Sequence, residues 1–174
     1  MMRPFSTSKK TLVLLTALAS LALGASAPPP ALPITDLKDL QIVEKAPYDE
    51  TADANAVVAA AFARAKKSHK LVMLDLGGNW CPDCIILANV IRLPAMQKFM
   101  NDHYEFASVD VGRFDKNLQV PAKFGYTTRL KGVPTVLVAT PDGKLVNGDN
   151  VFALTDARHM TPQSLAEYLA QWTK

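Results

Sequence analysis

The sequence predicts an α/β sandwich, in which helices cover both faces of a central mixed β-sheet. Helical and strand patterns alternate along most of the 174 residues, and this alternation is typical of a sheet packed between helices. The strand pattern over 71–76 is an almost continuous apolar run, as expected for a central strand buried on both faces. Later in the chain, the turn Pro141-Asp142-Gly143 joins two short strand patterns as a hairpin, which makes the sheet mixed.

Residues 1–27 have the pattern of a secretory signal peptide. Three basic residues precede an apolar stretch over 11–23, and the small residues 25–27 follow it. The apolar core is about thirteen residues, which is shorter than the roughly 20 that a membrane-spanning helix needs. We therefore expect an exported chain, periplasmic or secreted, with an uncleaved membrane anchor as the less favoured alternative.

A proline-rich N-terminal extension over 28–50 separates this segment from the domain, which we expect to occupy residues 51–174. The extension holds five prolines and no glycine, a composition that favours an extended tether over a packed element. Within it, the apolar residues 40–43 can add a short edge strand to the sheet.

Helical and strand patterns follow one another through the domain, each bounded by residues that start or end regular structure. Proline opens three of the helices, because it suits the first helical position better than the interior. Asn117 is placed to cap the fourth helix, and Gly125 to end it. The predicted helices cover 52–68, 82–91, 95–101, 118–124 and a last segment from 162 onward. The predicted strands cover 71–76, 106–111, 135–139 and a hairpin partner over 144–146.

The charge of the chain gives no support for a nucleic-acid partner. The formal net charge is +3, but removing residues 1–27 deletes three basic residues and no acidic one, which leaves the remainder neutral. A neutral chain is not drawn to polyanions or to anionic membrane surfaces. The length suits one domain with a real core, and we expect a monomer.

The only two cysteines lie in the segment Trp80-Cys81-Pro82-Asp83-Cys84, between the first strand and the second helix. With Cys81 at the N-cap and Pro82 in the first helical position, Cys84 lies one turn inside the helix on the same face, so the sulfurs can meet. A bridge that closes so short a loop stabilises little, and the pair therefore predicts thiol–disulfide exchange. A zinc site needs two more ligands, and the histidines are scattered.

Cys81 and Cys84 are expected to have different roles. Unpaired backbone N–H groups and the helix dipole favour the thiolate form of Cys81, which attacks the client. Cys84 lies deeper and resolves the mixed disulfide. Pro82 and Asp83 tune the pair, because the Asp83 carboxylate opposes the dipole and makes the couple less oxidising. The sequence therefore favours a reductase over an oxidase.

Three features together resemble the thioredoxin-fold family, over roughly residues 53–174. The first is Trp80-Cys81-x-x-Cys84 at the start of a helix. The second is the segment Gly132-Val133-Pro134-Thr135, and the third is Asp75, an acid inside the first strand. The chain is similar in particular to exported thioredoxin-like proteins such as the soluble domain of the periplasmic disulfide reductase.

This resemblance implies substrate-binding and proton-transfer roles for further residues. Pro134 is expected to be cis and to present the backbone of Val133 to a client strand, and Trp80 to cover the sulfurs and contact clients. Burial is expected to raise the pKa of Asp75, which can then exchange a proton with Cys84. Phe106 aligns with a lysine that thioredoxins often place beside this acid, which weakens the case for a proton relay.

The expected activity is thiol–disulfide exchange with protein clients that carry disulfides or dithiols, without a bound cofactor. A membrane protein is the expected redox donor or acceptor. Two alternatives stay open. One is a dedicated reductant for apocytochrome c or for a copper-site cysteine pair. The other is a soft-metal (copper) carrier that uses the same thiolates.

Overall fold

A three-stranded mixed sheet lies at the centre of the computed structural model, which describes residues 26–173. The predicted signal peptide lies outside the described residues, apart from its last two. The strands are β1 (Leu71–Gly77), β2 (Tyr104–Asp110) and β3 (Thr135–Ala139). Their order is β2-β1-β3, with β1 parallel to β2 and antiparallel to β3.

Five α-helices and three short 3-10 helices complete the described part of the chain. The α-helices are α1 (Ala54–Ser68), α2 (Pro82–Ile91), α3 (Pro94–His103), α4 (Gln119–Ala122) and α5 (Pro162–Ala170). The 3-10 helices are Leu37–Asp39, Gly148–Asn150 and Ala157–His159. Within residues 26–173, none of the helices combines the length and the apolar character that crossing a membrane requires.

Helices cover both faces of the sheet, which confirms the predicted α/β sandwich. Successive residues of a strand point to opposite faces. On β1, Val72, Leu74 and Leu76 pack in one core with α1 and α4, and Met73 packs in the other core with α2, α3 and α5. All four side chains are fully buried, so the strand that leads to the cysteines is held from both sides.

The N-terminal extension packs along the domain, which corrects the prediction of an extended tether. We call residues 26–52 the N-terminal strap. At its start, the amide of Ala27 donates to the carbonyl of Thr173 at 2.9 Å. Further along, Leu40 is buried, and three other apolar strap residues pack partly buried against the same core, namely Leu32, Ile34 and Leu37. Burial of these side chains stabilises the packed arrangement.

Residues 40–43 do not form the predicted edge strand. The amides of Val43 and Glu44 both donate to Oδ1 of Asn89, each at 2.9 Å. Asn89 in turn donates through its Nδ2 to the carbonyl of Glu44 at 2.7 Å. A single side chain of α2 therefore holds the backbone at the end of this segment, where a strand would have needed a neighbouring strand.

The predicted hairpin partner of β3 is reduced to one bridge, between Ala139 and Leu145. Beyond it, the side chain of the buried Asn147 replaces the missing strand. Its Oδ1 accepts from the amide of Val138, and its Nδ2 donates to the carbonyl of Val136, each at 2.8 Å. The edge of β3 is thus completed by an amide side chain, which the hydrophobic pattern alone does not reveal.

Helix α4 is shorter than predicted, and Asn117 does not cap it. Asn117 has a left-handed backbone conformation, with φ of 54°. Its side-chain Nδ2 donates to the carbonyl of Asp110 at 2.8 Å, so the side chain is turned towards the end of β2 and away from the helix amides. Gly125 follows α4 with φ of 91°, in the left-handed region that favours glycine.

Candidate active site

Cys81 and Cys84 form a disulfide at the N-terminus of α2. Cys81 is the N-cap residue and Pro82 is the first residue of the helix, as predicted. The two Cα atoms are 5.3 Å apart, within the ordinary range for a disulfide. The amide of Cys84 donates to Sγ of Cys81 at 3.2 Å. A backbone donor at this distance stabilises negative charge on the sulfur after reduction.

The oxidised pair is largely buried, and it contacts the loop that carries Pro134. Cys81 is 2% exposed and Cys84 is 0% exposed. The carbonyl oxygen of Val133 lies 3.4 Å from Sγ of Cys81, and the Val133–Pro134 peptide bond is cis, as the resemblance implies. The fold therefore brings together the cysteine pair and the predicted client-binding backbone, which are about 50 residues apart in the sequence.

Trp80 lies on the surface beside the cysteines. Its indole N–H donates to the carbonyl of Gly112 at 2.7 Å, which fixes the ring while leaving the residue 39% exposed. Phe114 packs edge-on against it at 5.9 Å between ring centroids, and the guanidinium of Arg113 lies 4.8 Å from the ring centroid. A fixed, partly exposed aromatic ring is suited to contact a client, which stays a prediction.

Asp75 is buried in β1, with 1% of its surface exposed. Its Oδ2 accepts a hydrogen bond from the hydroxyl of Tyr48 at 2.9 Å, and its Oδ1 has no partner among the described residues. Burial raises the pKa of Asp75 to about 7, against the opposing effect of the Tyr48 hydrogen bond. The expected direction is therefore confirmed, and the carboxyl group titrates near neutral pH.

The partner of Asp75 is a residue that the sequence analysis missed. Tyr48 belongs to the N-terminal strap, which was expected to be a tether, and the tyrosine is only 2% exposed. The register pairs Asp75 with Ser108 of β2, while Phe106 pairs with Met73. Phe106 therefore does not lie directly opposite the acid. The sequence signal for this contact was a tyrosine among prolines and charged residues, because a large aromatic side chain commonly anchors such a segment to the domain.

Asp83 is also buried and has a partner that the sequence did not indicate. It is 4% exposed. Its Oδ1 accepts from the amide of Arg158 at 2.9 Å, and its Oδ2 lies 3.5 Å from Nη2 of the same arginine. The Arg158 guanidinium therefore offsets part of the negative charge that the Asp83 carboxylate places near Cys81.

We expect Asp83→Asn to make the cysteine couple more oxidising. Asparagine keeps an acceptor for the Arg158 amide, but it removes the carboxylate and leaves the guanidinium unneutralised, and both changes favour a thiolate at Cys81. The expected shift is on the order of tens of millivolts, where about 30 mV is a tenfold change in the equilibrium constant. Equilibration with glutathione redox buffers measures it.

Arg158→Gln is the matched variant, because it removes the positive charge and keeps the backbone amide that holds Asp83. It is expected to shift the potential in the opposite direction, towards a more reducing couple. Shifts of the same sign in the two variants would show that local charge does not set the potential.

The described residues contain no group of three or more His, Cys, Asp and Glu side chains arranged to hold a metal ion. His159 lies near the active site on the surface, with its Nδ1 2.6 Å from Oδ1 of Asp156.

Comparison with known proteins places the chain in a family. The family model described as "Thioredoxin-like" matches residues 53–141. Among solved structures, the chain is similar to a disulphide isomerase from Xylella fastidiosa Temecula1, with 36% sequence identity and a TM-score of 0.69. The match covers 74% of this chain and 97% of the other chain. A comparison with curated proteins found no match.

A second solved structure, described as "DsbH Oxidoreductase", is 18% identical, with a TM-score of 0.42. The match covers 63% of this chain and 94% of that one, and this likeness is too weak to support an argument about function.

The chain belongs to the thioredoxin-like family, and it has the thioredoxin-like fold. With a disulfide between Cys81 and Cys84 at the N-terminus of α2, it is a thiol–disulfide oxidoreductase of that family.

Proposed function

We propose that the chain is an exported thiol–disulfide reductase that acts on protein clients. The observation that carries the exchange chemistry is the position of Cys81, whose sulfur accepts from the Cys84 amide and lies against the Val133 carbonyl. These contacts place the Cys81 sulfur for attack and set the Val133 backbone beside it for a client strand.

The direction of the reaction is inferred from the charges near the pair. A couple is strongly oxidising when its reduced, thiolate form is stabilised. Two carboxyl groups, Asp75 and Asp83, lie in this site, and the guanidinium of Arg158 already pairs with Asp83. No cationic side chain hydrogen-bonds to either sulfur in the part of the chain that is described. These surroundings support only weak stabilisation of the Cys81 thiolate, and therefore a reducing Cys81–Cys84 couple.

The proposed reaction begins with both cysteines reduced. The Cys81 thiolate attacks one sulfur of a client disulfide, so that a mixed disulfide forms and the other client sulfur leaves as a thiolate. Cys84 then attacks Sγ of Cys81 and gives its proton to the Asp75 carboxylate. The Cys81–Cys84 bond forms, the bond to the client breaks, and the client's second sulfur leaves as a thiolate that solvent protonates. The client gains two electrons, and the cysteine pair loses two.

Export and partners complete the proposal. The signal-peptide pattern of residues 1–27 supports export, and outside the cytosol a reductase needs a source of electrons. We infer a membrane redox protein as the donor and disulfide-containing proteins as the clients, with a monomer as the working form.

The test is the reduction potential of the Cys81–Cys84 pair, together with insulin reduction by the reduced protein. We expect catalysed reduction of insulin and a potential near the value of about −270 mV that is typical of thioredoxin. A potential near about −120 mV, as in strong oxidants of the fold, would overturn the proposed direction. Failure to reduce insulin, with stoichiometric binding of Cu(I) instead, would favour the metal carrier.

Isomerisation is a second candidate, favoured by the name of the Xylella fastidiosa protein that is 36% identical. An isomerase attacks a wrong disulfide through the same Cys81 thiolate, but it leaves the client oxidised. Refolding of scrambled ribonuclease separates the two activities, because an isomerase restores its activity while a reductase alone leaves free thiols.

A further inference from the structure

We propose that Tyr48 is a positioning residue of the exchange reaction: its hydroxyl holds the Asp75 carboxyl group in the place where it receives the Cys84 proton. This inference rests on the proposed dithiol mechanism and goes beyond it. It assigns a catalytic contribution to the N-terminal strap, which lies outside the region matched by the family model.

The contact itself is direct and buried. The Tyr48 hydroxyl donates to Oδ2 of Asp75 at 2.9 Å, and both residues are almost completely buried. Burial and the neighbouring carboxylate raise the pKa of Tyr48 well above its usual value, so the phenol stays protonated and can only donate to a charged Asp75. One carboxyl oxygen is therefore held, and Oδ1, which has no described partner, is left to take a proton.

The absence of a side chain at Gly77 leaves room for the Tyr48 hydroxyl and the Cys84 sulfur to lie side by side. A Cβ atom at Gly77 would collide with the Tyr48 hydroxyl and would lie 2.8 Å from Sγ of Cys84. Any other residue at this position would push one of the two groups away. The missing side chain lets the phenol and the resolving sulfur converge beside β1, the strand that carries Asp75.

The backbone of the strap is clamped on both sides of the cysteine motif. Asn79, just before Trp80, accepts from the Tyr48 amide at 3.0 Å and donates to the Tyr48 carbonyl at 2.9 Å. On the other side of the motif, Asn89 of α2 holds the amides of Val43 and Glu44. Two asparagine side chains thus fix the segment that delivers the tyrosine, which is more than packing of an apolar tail requires.

An open cavity of about 240 Å³ reaches Asp75, and neither cysteine is among its lining residues. Pro47 of the strap, Phe106 and Ser108 are among its lining residues. The charged groups on its wall are Glu44 and Arg92, which are 3.8 Å apart and offset each other. Asp110 is the remaining charged group that acts on Tyr48. The cavity gives the Asp75 proton a path to solvent.

The test is the pH dependence of the resolving step in Tyr48→Phe. Reduced protein is mixed with an aromatic disulfide whose thiolate is coloured, so that attack by Cys81 and resolution by Cys84 appear as two successive releases. Loss of the hydrogen bond is expected to raise the pH midpoint of the second release by about one unit and to leave the first release unchanged. Carbon NMR of the Asp75 carboxyl group is expected to show the same upward shift in the oxidised protein.

Tyr104→Phe is the matched control. The Tyr104 hydroxyl is also buried and donates at 2.6 Å, but to the carbonyl of Leu169, and Tyr104 pairs with Leu71, at the other end of β1 from Gly77. This variant loses a comparable bond and is expected to keep the wild-type midpoint. A wild-type midpoint in Tyr48→Phe, by both kinetics and NMR, overturns the inference. Absence of a second release in the wild-type protein refutes the dithiol mechanism instead.

A second variant keeps the test decisive if Tyr48→Phe does not fold. A monofluorinated tyrosine at position 48 has a more acidic hydroxyl and nearly the same shape, so it donates a stronger hydrogen bond. The midpoint is then expected to move to lower pH, opposite to its movement in Tyr48→Phe. No movement, or movement upwards, contradicts the proposed role.

Discussion

In Cys81→Ala, the rate of insulin reduction is expected to fall to the uncatalysed rate. In Cys84→Ala, a mixed disulfide between Cys81 and the client is expected to accumulate. The difference arises from position. Cys81 caps α2, and its sulfur accepts a hydrogen bond from the Cys84 amide. The Cys81 sulfur is therefore the one that is stabilised as a thiolate. Without Cys84, the first attack still occurs but nothing displaces the client. Non-reducing electrophoresis of the reaction, followed by mass spectrometry of the adduct, measures both outcomes.

The double variant, with alanine at both positions, is the control for this experiment. It has the same alanine at position 84 as Cys84→Ala but lacks the Cys81 nucleophile. Any client that co-purifies with it is therefore bound without a covalent bond. An adduct on Cys84 in Cys81→Ala, with turnover retained, would reverse the assigned roles. Applied to the native host, Cys84→Ala is also the variant that captures the physiological clients.

The parts of the site that could be predicted are those set by neighbours in the sequence. Pro82 fixes the start of α2, and a residue directly before it becomes the N-cap, so the placement of Cys81 followed from a few adjacent residues. The bounds of α2 and β3 agree with the structure for the same reason. The cis peptide bond before Pro134 was implied by resemblance, and the sequence pattern alone does not require it.

The parts that could not be predicted depend on side chains that meet across the fold. Tyr48 and Asp75 are 27 positions apart, and Asp83 and the Arg158 amide are 75 apart. Nothing in either local pattern specifies such a pair. The prediction of a tether for the N-terminal strap was wrong. Prolines favour an extended backbone, but the apolar residues between them are packed against the domain. Extended backbone and packed backbone are therefore compatible, and composition does not separate them.

Burial of the Asp75 carboxyl group lowers the free energy of unfolding when the group is charged. The pKa of its carboxyl group is about 7 in the folded protein, against an ordinary value of 3.8. Between these two pH values the folded protein keeps a proton that the unfolded chain has released. The contribution of Asp75 to stability is therefore most favourable below about pH 4, falls as the pH rises towards 7, and stays lower above it.

Asp75→Asn is expected to remove this dependence and to stabilise the protein above pH 7 by up to about 4 kcal/mol, the free energy equivalent of the pKa difference. Asparagine has nearly the same shape and still accepts from the Tyr48 hydroxyl, so the gain comes from the absent buried charge. Urea unfolding of the oxidised protein at pH values from 4 to 8 gives the free energies. The advantage of the variant is expected to grow with pH across that range and to be small at pH 4.

Asp142→Asn is the control, because Asp142 lies exposed in the turn after β3 and its replacement removes a solvated charge. It is expected to follow the wild-type curve at every pH. If Asp75→Asn also follows that curve, the carboxyl group is charged at neutral pH without penalty and cannot serve as the acceptor of the Cys84 proton in the way proposed. A stabilised Asp75→Asn that also resolves mixed disulfides slowly at pH 7 would tie the lost stability to catalysis, since the same buried carboxyl group accounts for both.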